Sequence, residues 1–383
     1  MSVDDEPDLE MLIRQKFRRQ IKKNEYEFVF AHNGLEALSL LVEHPDISVI
    51  LSDINMPEMD GLTLLSKINE LKNPTLKTII VSAYGDMDNI RCAMNRGAFD
   101  FATKPIDFED LEITIRRTIQ QIEVLKHAQE EHNQLVAIQN DLNVAREIQL
   151  SILPKVFPPF PEYNSFDLYA TMHAAKSVGG DFYDFFLIDD NHLGLVIADV
   201  SDKGIPAAIY MAVSKTIIRA TALKGMPPNE CMAYSNALLC KDNESSMFVT
   251  TFYSIMEIST GNLIYCNAGH NPPYLIKPDG SVNQLEKTGD LVLGAIDDVP
   301  FHNKEINLKP GDWLYMYTDG VTEAMSIDNE LYNEDRLELA LTHLQDTPAA
   351  LIEYVSNDLK AYTGEARQSD DITMMAIIYK GIG

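Results

Sequence analysis

Ile197-Ala198-Asp199-Val200-Ser201-Asp202-Lys203-Gly204-Ile205-Pro206-Ala207-Ala208 ends an apolar run on a carboxylate, turns through small residues and restarts as a helix. Three distant segments likewise place a carboxylate beside small or turn-forming residues and next to an apolar run: Val178-Gly179-Gly180-Asp181-Phe182-Tyr183-Asp184, Thr318-Asp319-Gly320-Val321 and Ser369-Asp370-Asp371-Ile372-Thr373. A single Asp-Gly turn carries no information, because both residues are ordinary in turns. Four such motifs point instead to oxygen ligands gathered from separate segments, as hard divalent cations require. Two such cations can activate a water and clamp both oxygens of a phosphoryl displacement.

Around these motifs, strand-like segments recur at residues 166–172, 193–198, 250–258, 261–266, 313–318 and 373–379. Helical spacing covers 207–223, 228–241, 335–343 and 349–362. Strands in groups, with helices in separate blocks, read as α+β. Four prolines within residues 154–161 mark a boundary ahead of this region.

Upstream, residues 108–152 lack any proline, which predicts one long helix. Leu111, Ile115, Thr118, Ile122 and Leu125 follow a 4-3-4-3 rhythm, and Leu135, Ile138, Leu142 and Ala145 resume it after the polar stretch 129–134. That rhythm reads as a coiled-coil seam between two copies of the chain, or as a helix packed on its own domain.

The first 118 residues alternate apolar strands (26–31, 48–51, 78–81) with helical stretches (35–42, 62–71, 87–96). This predicts a doubly wound parallel sheet with helices on both faces, whose ligands bind beyond the carboxyl ends of the strands. Asp4 and Asp5 follow the first short strand, Asp53 follows the run 47–52, Ser82 follows 78–81 and Lys104 follows 99–102. Three carboxylates at one sheet edge repel unless a cation joins them, and a lysine with a hydroxyl suits an incoming phosphoryl group. The alternative is a set of helix caps and turn residues. Because Met1, Ser2 and Val3 alone precede the acidic pair, the first strand is expected to be short, or the chain start to be a truncation.

The formal charge of -27 argues against nucleic acid or an anionic membrane surface as partner, since both need a cationic face. Cys92, Cys231, Cys240 and Cys266 are widely spaced and read as buried thiols of a reducing compartment. With no basic-then-apolar leader and no run of 18 apolar residues, the expected location is the cytoplasm.

From about residue 154 onward the chain resembles the bacterial PPM-type, metal-dependent protein serine/threonine phosphatases of the SpoIIE/RsbU class. The four acidic motifs carry the resemblance, with Ala145-Arg146-Glu147-Ile148-Gln149, Asn267-Ala268-Gly269-His270-Asn271-Pro272-Pro273 and Tyr317-Thr318-Asp319-Gly320-Val321-Thr322-Glu323. It implies a two-sheet sandwich flanked by helices. It also implies that Asp199, aided by the Val200 carbonyl, bridges two Mn²⁺ or Mg²⁺ ions. Asp181 would contact the second ion or its waters, while Asp319 and Asp370 hold the first. Asp371 is the alternative to Asp370, which is favoured. His270 is either a turn residue or a general acid, and Lys176 and Lys203 are candidates to touch the substrate phosphate.

Residues 1–118 resemble a response-regulator receiver domain, through Asp4-Asp5-Glu6, Ser52-Asp53-Ile54-Asn55-Met56-Pro57, Ser82-Ala83 and Thr103-Lys104-Pro105. The resemblance implies strand order 2-1-3-4-5 and phosphorylation of Asp53 by a histidine kinase. Asp5, Asp53 and the Asn55 carbonyl would hold Mg²⁺, with Asp4 acting mostly through water. Ser82 and Lys104 would bind the phosphate, and Phe101 would be the aromatic switch. The expected organisation is a receiver over 1–118, a helical coiled-coil linker over 119–153 and a phosphatase over 154–383. The expected function is a phosphorylation-controlled, homodimeric phosphatase acting on a STAS-type anti-sigma-factor antagonist in a partner-switching pathway. The rival, a pseudophosphatase scaffold, is disfavoured by the complete set of acidic residues.

Overall fold

The computed structural model describes residues 1–83, 86–241 and 243–381. The chain divides into two compact units, Met1–Ile138 and Gln139–Gly383.

In the first unit β1 (Ser2–Val3), α1 (Pro7–Lys16), α2 (Arg18–Lys22), β2 (Phe30–Ala31), α3 (Gly34–Glu43), β3 (Val49–Asp53), α4 (Gly61–Glu70), β4 (Lys77–Ala83), α5 (Met87–Asn95) and β5 (Asp100–Lys104) precede the long α6 (Phe108–Ile152). The strands form one parallel sheet in the order β2-β1-β3-β4-β5, the doubly wound arrangement expected. The central strand is indeed short, yet Ser2 and Val3 find partners on both sides, in Phe30–Ala31 and Leu51–Ser52.

β2 covers Phe30–Ala31 rather than all of 26–31. The aromatic residues before it pack instead of pairing: Tyr26 and Phe28 lie 5.9 and 5.3 Å from the Phe17 ring. Helix α1 escaped the sequence reading, although Pro7 and the acids Asp8 and Glu10 mark its first turn.

Helix α6 spans the predicted range. Leu111 and Ile115 join Leu9, Ile13, Phe17, Leu51 and Ile79 in one core, so the first half of the apolar rhythm serves the helix's own domain. Each such burial contributes roughly 1.5–3 kcal/mol relative to exposure. Leu135 and Ile138, by contrast, are 65% and 56% exposed.

The second unit begins within α6 and continues through β6 (Phe166–His173), β7 (Phe182–Asp189), β8 (His192–Val200), α7 (Ile205–Ala222), α8 (Pro228–Cys240), β9 (Val249–Glu257) and β10 (Asn262–Ala268). There follow β11 (Tyr274–Ile276), β12 (Val282–Gln284), β13 (Lys304–Asn307), β14 (Trp313–Tyr317), α9 (Asp319–Thr322), α10 (Asn333–Leu341), α11 (Pro348–Thr363) and β15 (Ile372–Tyr379). Two antiparallel sheets result, β13-β10-β9-β8-β7 and β12-β11-β14-β15-β6. Leu195, Ile197 and Phe252 of the first share a core with Leu314, Met316, Met375 and Ile377 of the second. Helices α7 and α8 pack on the first sheet, and α11 packs on the second. Every strand predicted here is present. β7 was missed because its largely apolar run, Phe182 to Ile188, broken only by Asp184, does not alternate and gives no period to detect.

Candidate metal centres at two acidic clusters

In the receiver-like unit, Asp53 closes β3 while Asp4 and Asp5 follow β1. The carboxylate oxygens of Asp4, Asp5 and Asp53 all lie within 4.8 Å of one another, the one such acidic set among the described residues. Lys104, at the end of β5, places Nζ 3.0 Å from Asp4 Oδ2, 3.0 Å from Asp53 Oδ2 and 3.3 Å from Glu6 Oε1. Burial works to lower the Lys104 pKa, but the bonds to Asp4 and Asp53 outweigh it and hold the ammonium above its ordinary value. Burial raises the Asp4 pKa against the opposing bonds from the Glu6 N–H and Lys104.

The second Asp53 oxygen accepts the Ile54 N–H at 2.8 Å. Gly61 is demanded by close approach, since a Cβ there would lie 2.0 Å from the Asp53 carbonyl oxygen. Ser82 is buried on β4, one register step beyond the Val81 that pairs with Asp53. Asn55 is exposed two residues after Asp53, and Phe101 is 38% exposed on β5.

The second cluster draws on both sheets of the sandwich. Asp181 immediately precedes β7 and Asp199 lies at the end of its neighbour β8, with Phe182 opposite Ala198. Asp319 opens α9 directly after β14, and Asp370 and Asp371 directly precede β15. Asp181 is buried, accepts the Thr318 hydroxyl at 2.7 Å and feels the charge of Asp199. Burial, then the charge of Asp319, pushes Asp199 up to about 7. Burial, then the charges of Glu323 and Asp370, pushes Asp319 up to about 6. Asp181 is raised well above the usual range, chiefly by burial and then by Asp199 and Asp371. Such shifts mark carboxylates that are desolvated and repel one another.

Among the described residues one cation pairs with this cluster: Lys203 Nζ lies 2.7 Å from Asp370 Oδ2 and donates to the Ser369 carbonyl at 2.8 Å. The neighbouring Asp371 points elsewhere. Its two oxygens accept the backbone N–H groups of Ala175 and Gly180, at 2.8 and 2.7 Å. Glycine is required around it, because a Cβ on Gly179 would meet the Asp371 carboxylate at 2.2 Å and one on Gly320 would meet its carbonyl at 1.9 Å. Val200 ends β8, its carbonyl close beneath Gly180.

The other polar residues in and around the motifs separate as well. Asp184 is buried against α7, held by Lys215 at 2.7 Å and Arg219 at 2.8 Å. Asp202 adopts a left-handed φ of 74° in the turn and accepts the Lys203 N–H. Lys176 is exposed, with its stem near Gly204. His270 is buried with its pKa pulled down to about 3 by burial, so the ring is neutral. Its Nδ1 lies 2.8 Å from the Thr250 hydroxyl, which also reaches the Asp199 carbonyl at 3.4 Å. The imidazole is thus a prop behind the Asp199 strand, which argues against a general acid.

Two further residues went unassigned in the sequence. Thr318 anchors Asp181, and Gln149 in the last turn of α6 exchanges two bonds with Gly179: its amide donates to the carbonyl at 2.5 Å and its oxygen accepts the N–H at 3.0 Å.

Comparison with known proteins agrees with this geometry. Residues 189–380, half of the chain, match the family described as Stage II sporulation protein E (SpoIIE). Residues 1–116 match the response regulator receiver domain. The chain is 31% identical over 264 residues to protein IcfG of Synechocystis sp., covering 62% of this chain and 41% of that protein. It is 28% identical to the phosphoserine phosphatase RsbU of Bacillus subtilis, covering 65% of this chain and 74% of RsbU. The fold matches the SiaA-PP2C domain of Pseudomonas aeruginosa with a TM-score of 0.57 at 21% identity, over 64% of this chain and 98% of that domain. With a parallel receiver sheet in its first unit and a two-sheet sandwich bearing the acidic cluster in its second, the chain belongs to the SpoIIE family and carries a response regulator receiver domain ahead of its PP2C-like domain.

Proposed function

We propose that this chain is a metal-dependent protein serine/threonine phosphatase controlled by phosphorylation of its receiver. The observation that carries the reading is the convergence of Asp181, Asp199, Asp319 and Asp370 from two sheets, with Lys203 as the one cation paired with them among the described residues. Raised carboxyl pKa values are what such a set gives without cations, so the donor chemistry fits hard divalent ions. Asp199 with the Val200 carbonyl, Asp181, Asp319 and Asp370 would hold two Mn²⁺ or Mg²⁺ ions. When bound, the pair supplies an activated water and neutralises phosphoryl charge.

The chain's own residues do the rest. Asp371 stretches the Gly179–Gly180 backbone into the shape that presents Asp181. We assign it that strut role and Asp370 the ligand role. Lys203 is available to the substrate phosphate once Asp370 is otherwise engaged, with Lys176 beside it. In the receiver, Asp53 would take a phosphoryl group from a histidine kinase. Asp5, Asp53 and the Asn55 carbonyl would hold Mg²⁺, with Asp4 acting through water and Lys104 and Ser82 gripping the phosphate. Phe101 would report the change.

The substrate class we favour is a serine-phosphorylated STAS-domain antagonist, consistent with similarity to RsbU and to RsbP, both named phosphoserine phosphatases. A cytoplasmic setting suits that pathway. The working division is receiver over 1–118, linker over 119–153 and phosphatase over 154–383. A phosphorylated STAS-domain protein should release inorganic phosphate with Mn²⁺ and not with EDTA; release unaffected by EDTA would remove the metals from the scheme.

The exposed Leu135 and Ile138 further support a helix–helix seam between two copies of the chain. Replacing Ile138 and Leu142 together by Glu should then yield monomers, because two charges cannot be buried in an apolar seam. Light scattering of the double variant that gave the wild-type mass would exclude this dimer.

A further inference from the structure

A cleft of about 300 Å³ opens directly beside the second acidic cluster, among the end of β6, the turn after α9, the last turns of α11 and the loop before β15. Its lining includes Gly320 and Ser369, the chain neighbours of Asp319 and Asp370. Leu359 and Met374, both buried, make its floor apolar. Lys360 and Arg367 make its rim cationic, with the imidazole of His173 beside them.

The positive character is not cancelled locally. Among the described residues neither Lys360 nor Arg367 is in an ion pair. The charges of Lys360 and Arg146 both act on His173, adding to burial in lowering its pKa. Lys360 also suits the C-terminal end of α11, but His173 and Arg367 belong to no helix and need another reason. In a chain with 58 acidic and 31 basic residues, two cations around an apolar slot beside a carboxylate cluster select for ligand charge.

We propose that this cleft docks the segment of the substrate protein flanking the phosphorylated residue, taking acidic side chains at the rim and an apolar one on the floor. The inference rests on the phosphatase reading and adds to it the sequence preference of the substrate. An extended peptide whose phosphoresidue lies at the acidic cluster has its neighbours over Gly320 and Ser369, which is where the cleft begins.

The test uses the full-length chain and two fluorescein-labelled phosphoserine peptides of equal length, one with Asp, Glu and Leu flanking the phosphoserine and one with Lys in place of the acids. Anisotropy in EDTA, where nothing is turned over, should give at least about tenfold tighter binding of the acidic peptide. Lys360→Glu with Arg367→Glu should abolish or invert that preference, and Lys360→Arg with Arg367→Lys should retain it. Equal affinity of the wild type for the two peptides, or a preference untouched in the Glu variant, would overturn the proposal. Turnover of p-nitrophenyl phosphate by the wild type in Mn²⁺ separately tests the phosphatase reading, because that compound has no flanking segment.

Discussion

Asp199→Asn should lower turnover of p-nitrophenyl phosphate in Mn²⁺ by about a thousandfold or more, the scale expected when a two-metal site loses its shared ligand. An amide cannot supply the negative charge that holds two cations close together. The variant should nevertheless fold. Asp199 is desolvated among carboxylates that already raise its pKa to about 7, so a neutral side chain of the same shape relieves repulsion. In EDTA its melting temperature should equal or exceed that of the wild type, whereas added Mn²⁺ should stabilise the wild type and leave the variant nearly unmoved, since a ligand that binds the folded state raises stability by mass action. Near-wild-type turnover by Asp199→Asn would defeat the two-metal assignment. A variant that melted far lower in EDTA would show that Asp199 is a structural residue.

The second large effect is expected at the other end of the chain. An acyl-phosphate donor should label the wild type and fail to label Asp53→Asn. Asp53 ends a central strand with Lys104 Nζ 3.0 Å away, so the phosphoryl group arrives beside a cation already held in place. Labelling breaks the present arrangement, in which one lysine serves Asp4, Glu6 and Asp53 together, and it obliges Lys104 to follow the phosphate. That redistribution is a local electrostatic event of the kind that biases a bistable domain. Beryllofluoride should therefore change phosphatase turnover several-fold in the wild type and not in Asp53→Asn. Identical turnover in all three preparations would show that the receiver does not govern this enzyme.

The sequence was most legible where a backbone rule and a chemical rule coincide. Carboxylates at strand ends identified the receiver cluster and carboxylates beside small turn residues the other, and in the second cluster crowding at Gly179 and Gly320 leaves no room for a Cβ. The long helix was legible from the lack of breakers, and the parallel sheet from alternation. The pattern could not say which of two adjacent acids faces the cluster. That choice between Asp370 and Asp371 depends on backbone donors at Ala175 and Gly180, nearly two hundred residues away. Nor could the heptad rhythm separate Leu111 and Ile115, which enter the receiver core, from Leu135 and Ile138, which do not. Spacing reveals a face, and tertiary packing decides what covers it. α1 and β7 were missed for opposite reasons, one for weak periodicity and the other for an apolar run broken by Asp184 alone.

The paired bonds between Gln149 and Gly179 bear on how this protein can be cut into pieces. A fragment starting at the proline boundary, residue 154, keeps every strand of the sandwich yet strips the Gly179 peptide of both its partners. It also removes Leu150 and Leu153 from the main core, Leu153 being buried. The unpaired amide sits two residues before Asp181, in a loop whose shape matters to the cluster. Such a fragment would be a poor surrogate for the whole enzyme even if it folded, and its low activity could be misread as the loss of activation by the receiver. A dissection that begins at residue 139 keeps the helical turns with the module they complete, so the natural seam of this chain lies inside a continuous helix, where no loop advertises it.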